Sequence, residues 1–157
     1  MQIRIVAVGR IREPGFVLAQ AEYAKRLQRY VSLEMIEVDD EPVPSGDRLR
    51  QAVKLREGAR LQCHAKDGLL VALDAQGEQF TSESFAAWLE QQQRASGGRG
   101  PVFMLGGTLG LSPEILAQAD LRLSLSSLTF PHQLARVVLL EQLYRSFRIL
   151  RREPYHY

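Results

Sequence analysis

Short apolar stretches alternate with segments of helical periodicity along this chain. Residues 2–8 are rich in β-branched side chains, residues 33–38 have a similar character, and residues 69–73 and 102–105 are wholly apolar. A wholly apolar run of this length is typical of a central parallel strand that is covered on both faces. With a shorter candidate at 121–125, the pattern predicts five strands.

The segments between these strands repeat their apolar residues every three or four positions, as an amphipathic helix does. Ser82 and Ser112 belong to the residue type that caps a helix N-terminus, and Pro113 suits a first turn because no N–H is needed there. Helices are therefore predicted at 16–30, 47–61, from Ser82, from Ser112 and at 132–150.

Strands that alternate with helices predict one α/β domain over residues 1–157, with a mainly parallel sheet and helices on both of its faces. Ligands bind to such sheets beyond the carboxyl ends of the strands. The loops after Leu73, Leu105 and Leu125 are therefore the candidate binding loops.

The last predicted helix has an unusually wide apolar arc. It includes Leu134, Val137, Val138, Leu140 and Leu143, followed by two aromatic residues. A helix with more apolar surface than one sheet face can cover indicates contact with a partner subunit. Deep burial within one subunit would give the same pattern, so the sequence leaves both interpretations open.

The composition adds limits on compartment and class. A hydrophobic fraction of 45% and a charged fraction of 24% are ordinary for one globular domain. Cys63 is the single cysteine, which excludes an intrachain disulfide and a metal site built from several cysteines. No apolar run reaches the roughly 18 residues of a membrane span, and the start lacks a signal-peptide pattern. We therefore expect a cytoplasmic protein without a membrane partner.

The net charge of +2 is unevenly distributed. Residues 136–157 contain five arginines and two glutamates, which gives +3 and leaves −1 for the rest of the chain. Each arginine offers a charged fork of donors to a phosphate, and neutralised phosphates release counterions. A nucleic-acid partner is one interpretation of this basic end, and a solvated helix face is the other. The arginines are Arg136, Arg145, Arg148, Arg151 and Arg152.

Several familiar kinds of chemistry are disfavoured. The turn at 106–110 has the spacing GGxxG, so it matches neither the dinucleotide fingerprint GxGxxG nor a Walker loop, and an oxidoreductase is disfavoured. Ser126 and Thr129 lie near His132, yet no GxSxG elbow is present and the spacing supports no catalytic triad. The three histidines form no metal-ligand motif, so no metal site is predicted.

The C-terminal tail has an unusual composition. His156 lies between Tyr155 and Tyr157, although chain ends are normally frayed and polar. Packing alone gives no reason for this placement. A tail that folds back would bring a proton acceptor to a binding site.

A set of short motifs spread over essentially the whole chain carries a family resemblance. The run from Ser124 to His132, followed by Glu-Gln-Leu-Tyr-Arg at 141–145 and Pro-Tyr-His at 154–156, is highly specific, whereas GGxxG alone is not. The other matches are Ile5-Val6-Ala7-Val8-Gly9, Glu22-Tyr23, Lys25-Arg26, Leu73-Asp74, Phe103-Met104-Leu105-Gly106-Gly107, Leu111-Ser112-Pro113 and Leu134 to Arg136. In these motifs the chain resembles the RlmH family of SPOUT-class methyltransferases.

The resemblance implies a fold and an activity. The expected reaction is methylation of N3 of a pseudouridine in large-subunit (23S) ribosomal RNA, with S-adenosyl-L-methionine as cofactor. The family also implies a C-terminal trefoil knot, a homodimer packed through the knot helices, and an RNA rather than a DNA partner. The general rule against threaded chains would instead have predicted an ordinary doubly wound sheet.

The resemblance also assigns residues, which are carried over onto the matching positions of this chain. Tyr155 and His156 are expected at the acceptor site, with His156 either accepting the N3 proton or positioning the base. The RNA contacts are expected from Arg136, Arg145, Arg151 and Arg152. The cofactor pocket is expected from Leu73, Gly106, Ser126, Ser127, Leu128, Thr129, Phe130 and Pro131.

The chain departs from the family pattern at two places. Thr108 and Leu109 stand where the family commonly has Pro-Glu, and Tyr157 replaces the usual arginine after the histidine. Contact with RNA at the tail then falls to Arg151 or Arg152, or to stacking by the tyrosine. These departures keep open a non-catalytic RNA- or ribosome-binding module as the alternative. A chain this small has no separate RNA-binding domain, so we expect it to act on the assembled ribosome.

Overall fold

The computed structural model describes residues 1–65, 68–95, 97 and 100–154. Within these residues, strands and helices alternate strictly along the chain. The elements are β1 (Gln2–Val8), α1 (Pro14–Leu27), β2 (Ser32–Val38), α2 (Asp47–Gln62), β3 (Leu69–Gln79), α3 (Ser82–Ala95), β4 (Pro101–Leu105), α4 (Pro113–Gln118), β5 (Leu121–Ser124) and α5 (His132–Leu150).

The strands form one parallel sheet in the order β2-β1-β4-β3-β5. In the middle of the sheet, Ile5 pairs with Met35 on one side and with Phe103 on the other. Because all strands run the same way, their carboxyl ends meet at one edge, as the sequence predicts.

Two apolar cores cover the two faces of the sheet. Successive side chains of a strand point to opposite faces, so Ile5 and Phe103 pack with α1, α3 and α5, while Val6 and Met104 pack with α2 and α4. The prediction of a parallel sheet with helices on both faces is therefore confirmed.

Strand β3 is longer than its apolar run. It continues to Gln79, and Leu73 and Glu78 both pair with Leu123, so residues 74–77 leave the regular ladder as an excursion. These residues are polar or small and border the last strand of the sheet, which is why no apolar pattern marks them. Gly77 allows the close approach, because a Cβ there would lie 2.4 Å from the Arg122 carbonyl oxygen.

Two helix starts differ from the prediction. Helix α1 begins at Pro14, since a proline at the first position gives up no intrahelical hydrogen bond. Thr81 rather than Ser82 caps α3, because the Thr81 Oγ1 accepts from the Ser84 N–H at 3.1 Å. The Ser82 hydroxyl instead donates to the Gln142 side chain at 2.8 Å and links α3 to α5.

Burial within one subunit accounts for most of the wide apolar arc of α5. Leu140, Leu143 and two aromatic residues of this helix are buried against α1, α3 and the sheet. Leu134, Val137 and Val138 remain half-buried at the outer side. Neither α5 nor any other helix in the described part of the chain is long and apolar enough to cross a membrane.

Candidate functional site

A cavity opens beyond the carboxyl ends of β3, β4 and β5. Its free volume, including the open mouth, is about 640 Å³. The wall comes from residues 73–75, from Leu105 and the glycine turn that follows it, from most of the segment 123–130 and from the first turn of α5. All three loops that the sequence indicates as binding loops therefore meet at one cavity.

The cavity brings together most of the residues expected to hold a cofactor. Ser127 and Pro131 lie in the same segment but do not form part of the wall. Leu128 stands at the mouth with 70% of its surface exposed. The six expected residues on the wall are Leu73, Gly106, Ser126, Leu128, Thr129 and Phe130.

The segment at 126–130 combines apolar side chains with free backbone groups. The Ser126 hydroxyl accepts from the Leu128 N–H at 3.0 Å, and the Ser124 hydroxyl donates to the Ser126 carbonyl at 3.0 Å. Across the described ranges, residues 126–130 make no backbone-to-backbone hydrogen bond. Apart from the Leu128 N–H and the Ser126 carbonyl, which side chains occupy, the backbone groups of this segment lie beside leucine and phenylalanine side chains, an arrangement that suits a ligand with a planar heterocycle.

The glycine turn leaves no space for a side chain at its first residue. A Cβ on Gly106 would lie 2.4 Å from the Gly110 carbonyl carbon and 2.7 Å from the Leu111 nitrogen. The turn is closed by the Gly110 N–H, which donates to the Gly107 carbonyl at 3.0 Å. Gly110 has a φ of 80°, a conformation that glycine adopts without steric cost.

A buried carboxyl group lies behind this turn. Glu57 of α2 is 4% exposed, its Oε1 accepts from the Glu41 N–H at 3.0 Å, and its Oε2 has no hydrogen-bond partner among the described residues. A Cβ on Gly107 would lie 3.3 Å from that Oε2. Burial raises the pKa of Glu57, and the hydrogen bond from the Glu41 amide opposes the shift. Sequence reasoning missed Glu57, because it is one charge among many in α2.

His132 lies on the cavity wall at the start of α5. Burial lowers the pKa of its imidazole, the Arg136 charge lowers it further, and Asp40 acts in the opposite direction. The ring is therefore neutral at neutral pH and presents one donor and one acceptor nitrogen.

Arg136 is a structural residue, so its expected contact with RNA is wrong. The residue is 1% exposed. Its Nη1 bonds the Glu37 carboxylate at 2.6 Å, and its Nη2 donates to the Gly9 carbonyl at 2.8 Å. The side chain ties α5 to the carboxyl ends of β1 and β2, and offers no surface to a phosphate.

The other arginines of the basic end differ in their surroundings. Arg145 pairs with Glu141 at 2.6 Å and has 26% of its side chain exposed. Arg151 and Arg152 are exposed beyond the end of α5. Tyr155 and His156, the residues expected at the acceptor site, lie outside the described residues.

The segment that precedes the tail lies far from the cavity. The Tyr30 hydroxyl, which follows α1 at the amino end of the sheet, donates to the Glu153 carboxylate at 2.6 Å, and Arg148 donates to the Pro154 carbonyl at 3.3 Å. From Ala135 on the cavity wall to Arg151, α5 rises about 24 Å at 1.5 Å per residue. His156 is two residues beyond Pro154, a reach of about 7 Å. The described residues that precede the tail therefore lie at the end of α5 that is opposite to the cavity.

The chain matches known proteins over its whole length. The family model described as "Predicted SPOUT methyltransferase" matches residues 1–156. A protein from Acetivibrio thermocellus named "Ribosomal RNA large subunit methyltransferase H" is 50% identical over 161 residues, covering 99% of this chain and 99% of the relative. A protein of the same name from Clostridium botulinum (strain 657 / Type Ba4) is 46% identical over 159 residues, again covering 99% of each chain.

Solved structures show the same fold at low sequence identity. A probable methyltransferase from Bordetella pertussis Tohama I superposes with a TM-score of 0.59 at 15% identity, covering 92% of this chain and 95% of that chain. A probable methylase family protein from Haemophilus influenzae Rd KW20 gives a TM-score of 0.56 at 14% identity, covering 99% of this chain and 70% of that chain. The full-length family match and the close relatives show that the chain belongs to the SPOUT methyltransferases, and among them to the RlmH family.

Proposed function

We propose that this protein transfers a methyl group from S-adenosyl-L-methionine to N3 of a pseudouridine in large-subunit (23S) ribosomal RNA. The observation that carries the proposal is the cavity at the carboxyl ends of β3, β4 and β5, in a chain that is 50% identical over its length to a relative named for large-subunit RNA methylation. The pseudouridine and its N3 atom are those of the RlmH family.

The cavity fits the cofactor by the chemistry of its wall. When bound, S-adenosyl-L-methionine supplies an activated methyl group, so the protein needs no covalent nucleophile. Leu73 and Phe130 offer apolar surfaces to the adenine ring, and the free backbone groups of 126–130 offer hydrogen bonds to its edge. Gly106 lets the backbone approach the ligand closely. The neutral His132 can donate or accept one hydrogen bond without adding charge beside a cationic sulfonium.

The acceptor side of the site requires a second copy of the chain. Because Arg151 lies about 24 Å along α5 from the wall of its own subunit's cavity, we infer that Tyr155 and His156 serve the cavity of a partner subunit. This distance supports a homodimer in which each tail completes the site of the other subunit. His156 would accept the N3 proton or hold the base in line with the methyl group.

The outer side of α5 supports the same dimer. Leu134, Val137 and Val138 are half-buried there, and the Glu141–Arg145 ion pair lies next to them at 2.6 Å. An apolar strip with a self-compensated ion pair is suited to face its own copy in an isologous interface. The trefoil knot, a property of the family, remains a prediction for this chain.

The substrate is proposed to be the assembled ribosome, and the compartment the cytoplasm. Among the expected RNA-binding residues, Arg151 and Arg152 are exposed and Arg145 is partly exposed. The whole length of this small chain is taken up by the methyltransferase match, so site selection depends on the shape of the particle.

Mass mapping of ribosomal RNA from cells with and without the gene tests the proposal. We expect one methyl group on a large-subunit pseudouridine to disappear with the gene and return with a plasmid copy. Calorimetry with S-adenosyl-L-methionine separates the enzyme from a non-catalytic binding module. An unchanged methylation map together with absent cofactor binding would reject the enzyme.

A further inference from the structure

The end of α5 packs on the end of α1 through alternating rings and guanidinium groups. The Tyr144 ring lies between the rings of Tyr23 and Tyr30, with centroid distances of 6.2 and 6.0 Å. The Arg26 guanidinium lies 5.5 Å from the Tyr23 centroid and 5.6 Å from that of Tyr144, and the Arg151 guanidinium lies 4.7 Å from that of Tyr30. The rings hold these cations in place at the surface.

Among the described residues, four cations at this corner form no ion pair with a carboxylate. Arg26 pairs with Glu22 at 2.7 Å, and Arg148 pairs with Glu153 at 3.0 Å. In the part of the chain that the structure describes, the remaining cations here form no ion pair, and all of them are exposed. We call this set the basic corner; it consists of Lys25, Arg29, Arg151 and Arg152.

Arg152 occupies a backbone position that favours glycine. Its φ is 55°, its N–H donates to the Ile149 carbonyl at 3.0 Å, and the next N–H, of Glu153, donates to the Arg148 carbonyl at 2.9 Å. This is the Schellman arrangement of a helix C-terminus, whose left-handed residue is usually glycine. An arginine with a left-handed φ costs free energy that glycine would avoid. Glycine could therefore replace this arginine without loss of the backbone arrangement.

We propose that the basic corner binds the phosphate backbone of the RNA substrate. The proposal rests on the proposed function and extends it to the end of α1, since Lys25 lies in the last turn of that helix and Arg29 in the turn that follows it. The positive charge is complementary to phosphate, and the exposed forks of Arg151 and Arg152 suit bidentate contacts. The corner directly precedes the tail, so RNA held there lies beside the residues expected at the acceptor nucleotide.

The variant Arg152→Gly separates a role in binding from a role in folding. Glycine at this position should keep or raise the melting temperature, because glycine adopts the left-handed backbone conformation without the steric cost that arginine has there. The affinity of the dimer for purified large ribosomal subunits should fall three- to tenfold at 100 mM salt. The slope of log K against log salt should become shallower by roughly one for the lost phosphate contact. Lysine at the same position retains the charge and should restore most of the affinity.

Arg48→Gln is the matched control, because Arg48 is an exposed arginine on α2 outside the corner. Its affinity for large subunits and its salt slope should change less than those of Arg152→Gly, because it removes a positive charge that lies outside the basic corner. Equal affinity and slope for Arg152→Gly and wild type would overturn the basic corner, while leaving methyl transfer by the wild type, and so the proposed function, intact. Loss of affinity without a change in salt slope would equally reject a phosphate contact. If Arg152→Gly shows the expected loss of affinity and shallower slope but the wild type transfers no methyl group, the proposed function would be rejected and the basic corner kept.

Discussion

Replacement of Arg136 by methionine tests whether this arginine supports the fold or the RNA. The change removes the 2.6 Å ion pair with Glu37 and the 2.8 Å hydrogen bond to the Gly9 carbonyl, while keeping an unbranched side chain in the space. Breaking a buried ion pair by removing one partner costs about 3–5 kcal/mol. The Glu37 side chain is 32% exposed, and water there reduces the penalty, so we expect about 3 kcal/mol.

A loss of this size lowers the melting temperature by about 6–12 °C in a domain of this length. Urea and thermal denaturation of Arg136→Met measure it directly. The variant Glu37→Gln leaves Arg136 without its charged partner, and the double variant leaves neither charge unpaired. The double variant should therefore be destabilised by less than the sum of the losses in the two single variants.

A structural role for Arg136 is refuted if Arg136→Met melts at the wild-type temperature but binds large ribosomal subunits with a reduced salt slope. That result would return Arg136 to the RNA-binding residues. Strictly additive losses in the double variant would also contradict the pairing.

Three further changes address the cavity and the tail. Gly106→Ala places a Cβ 2.4 Å from a backbone atom, so the glycine turn must shift to relieve the clash, at a cost of about 1–3 kcal/mol. If the cofactor site loses that free energy, calorimetry should show cofactor binding weakened roughly 5- to 150-fold. Gly15→Ala is the control that should bind the cofactor normally, because a Cβ there has nothing within 4 Å. Burial raises the pKa of Glu57, so the folded state binds the carboxyl proton more tightly than the unfolded state does. As the pH rises above about 4.3, the wild type therefore loses stability relative to Glu57→Gln, which has no proton to lose. Urea denaturation at pH 4 and pH 7 measures that difference, and an equal difference at both values would contradict it. His156→Ala should lower methyl transfer to ribosomes and leave cofactor affinity nearly intact, whereas equal turnover would remove His156 from the acceptor site.

The elements that could be predicted from sequence are those whose local chemistry agrees with their environment. The run at 102–105 is apolar on both faces because β4 is covered on both faces. Ser112 caps α4 as its residue type predicts, since its Oγ accepts from the Ile115 N–H at 3.4 Å. The meeting of three loops at one cavity follows from a parallel sheet. The identities of the residues on its wall came from the family resemblance.

The remaining features depend on contacts distant in sequence. Arg136 looks like any helix-surface arginine until Glu37, ninety-nine positions away, is brought beside it. Glu57 is buried only because α2 packs behind the glycine turn. The excursion at 74–77 follows from pairing with β5. No periodicity in one segment carries such information.

Helix α5 has its first turn on the cavity wall and its last turn bonded to Pro154, which leads into the tail. The cavity and the start of the tail in one subunit are therefore connected by a continuous helix of 19 residues and not by a loop. Inserting one residue in it would turn everything beyond by about 100° and shift it by about 1.5 Å. Surface loops of this protein can change length at little cost, but α5 cannot, because its length fixes the position of the tail relative to the cavity and so the geometry of the proposed dimer.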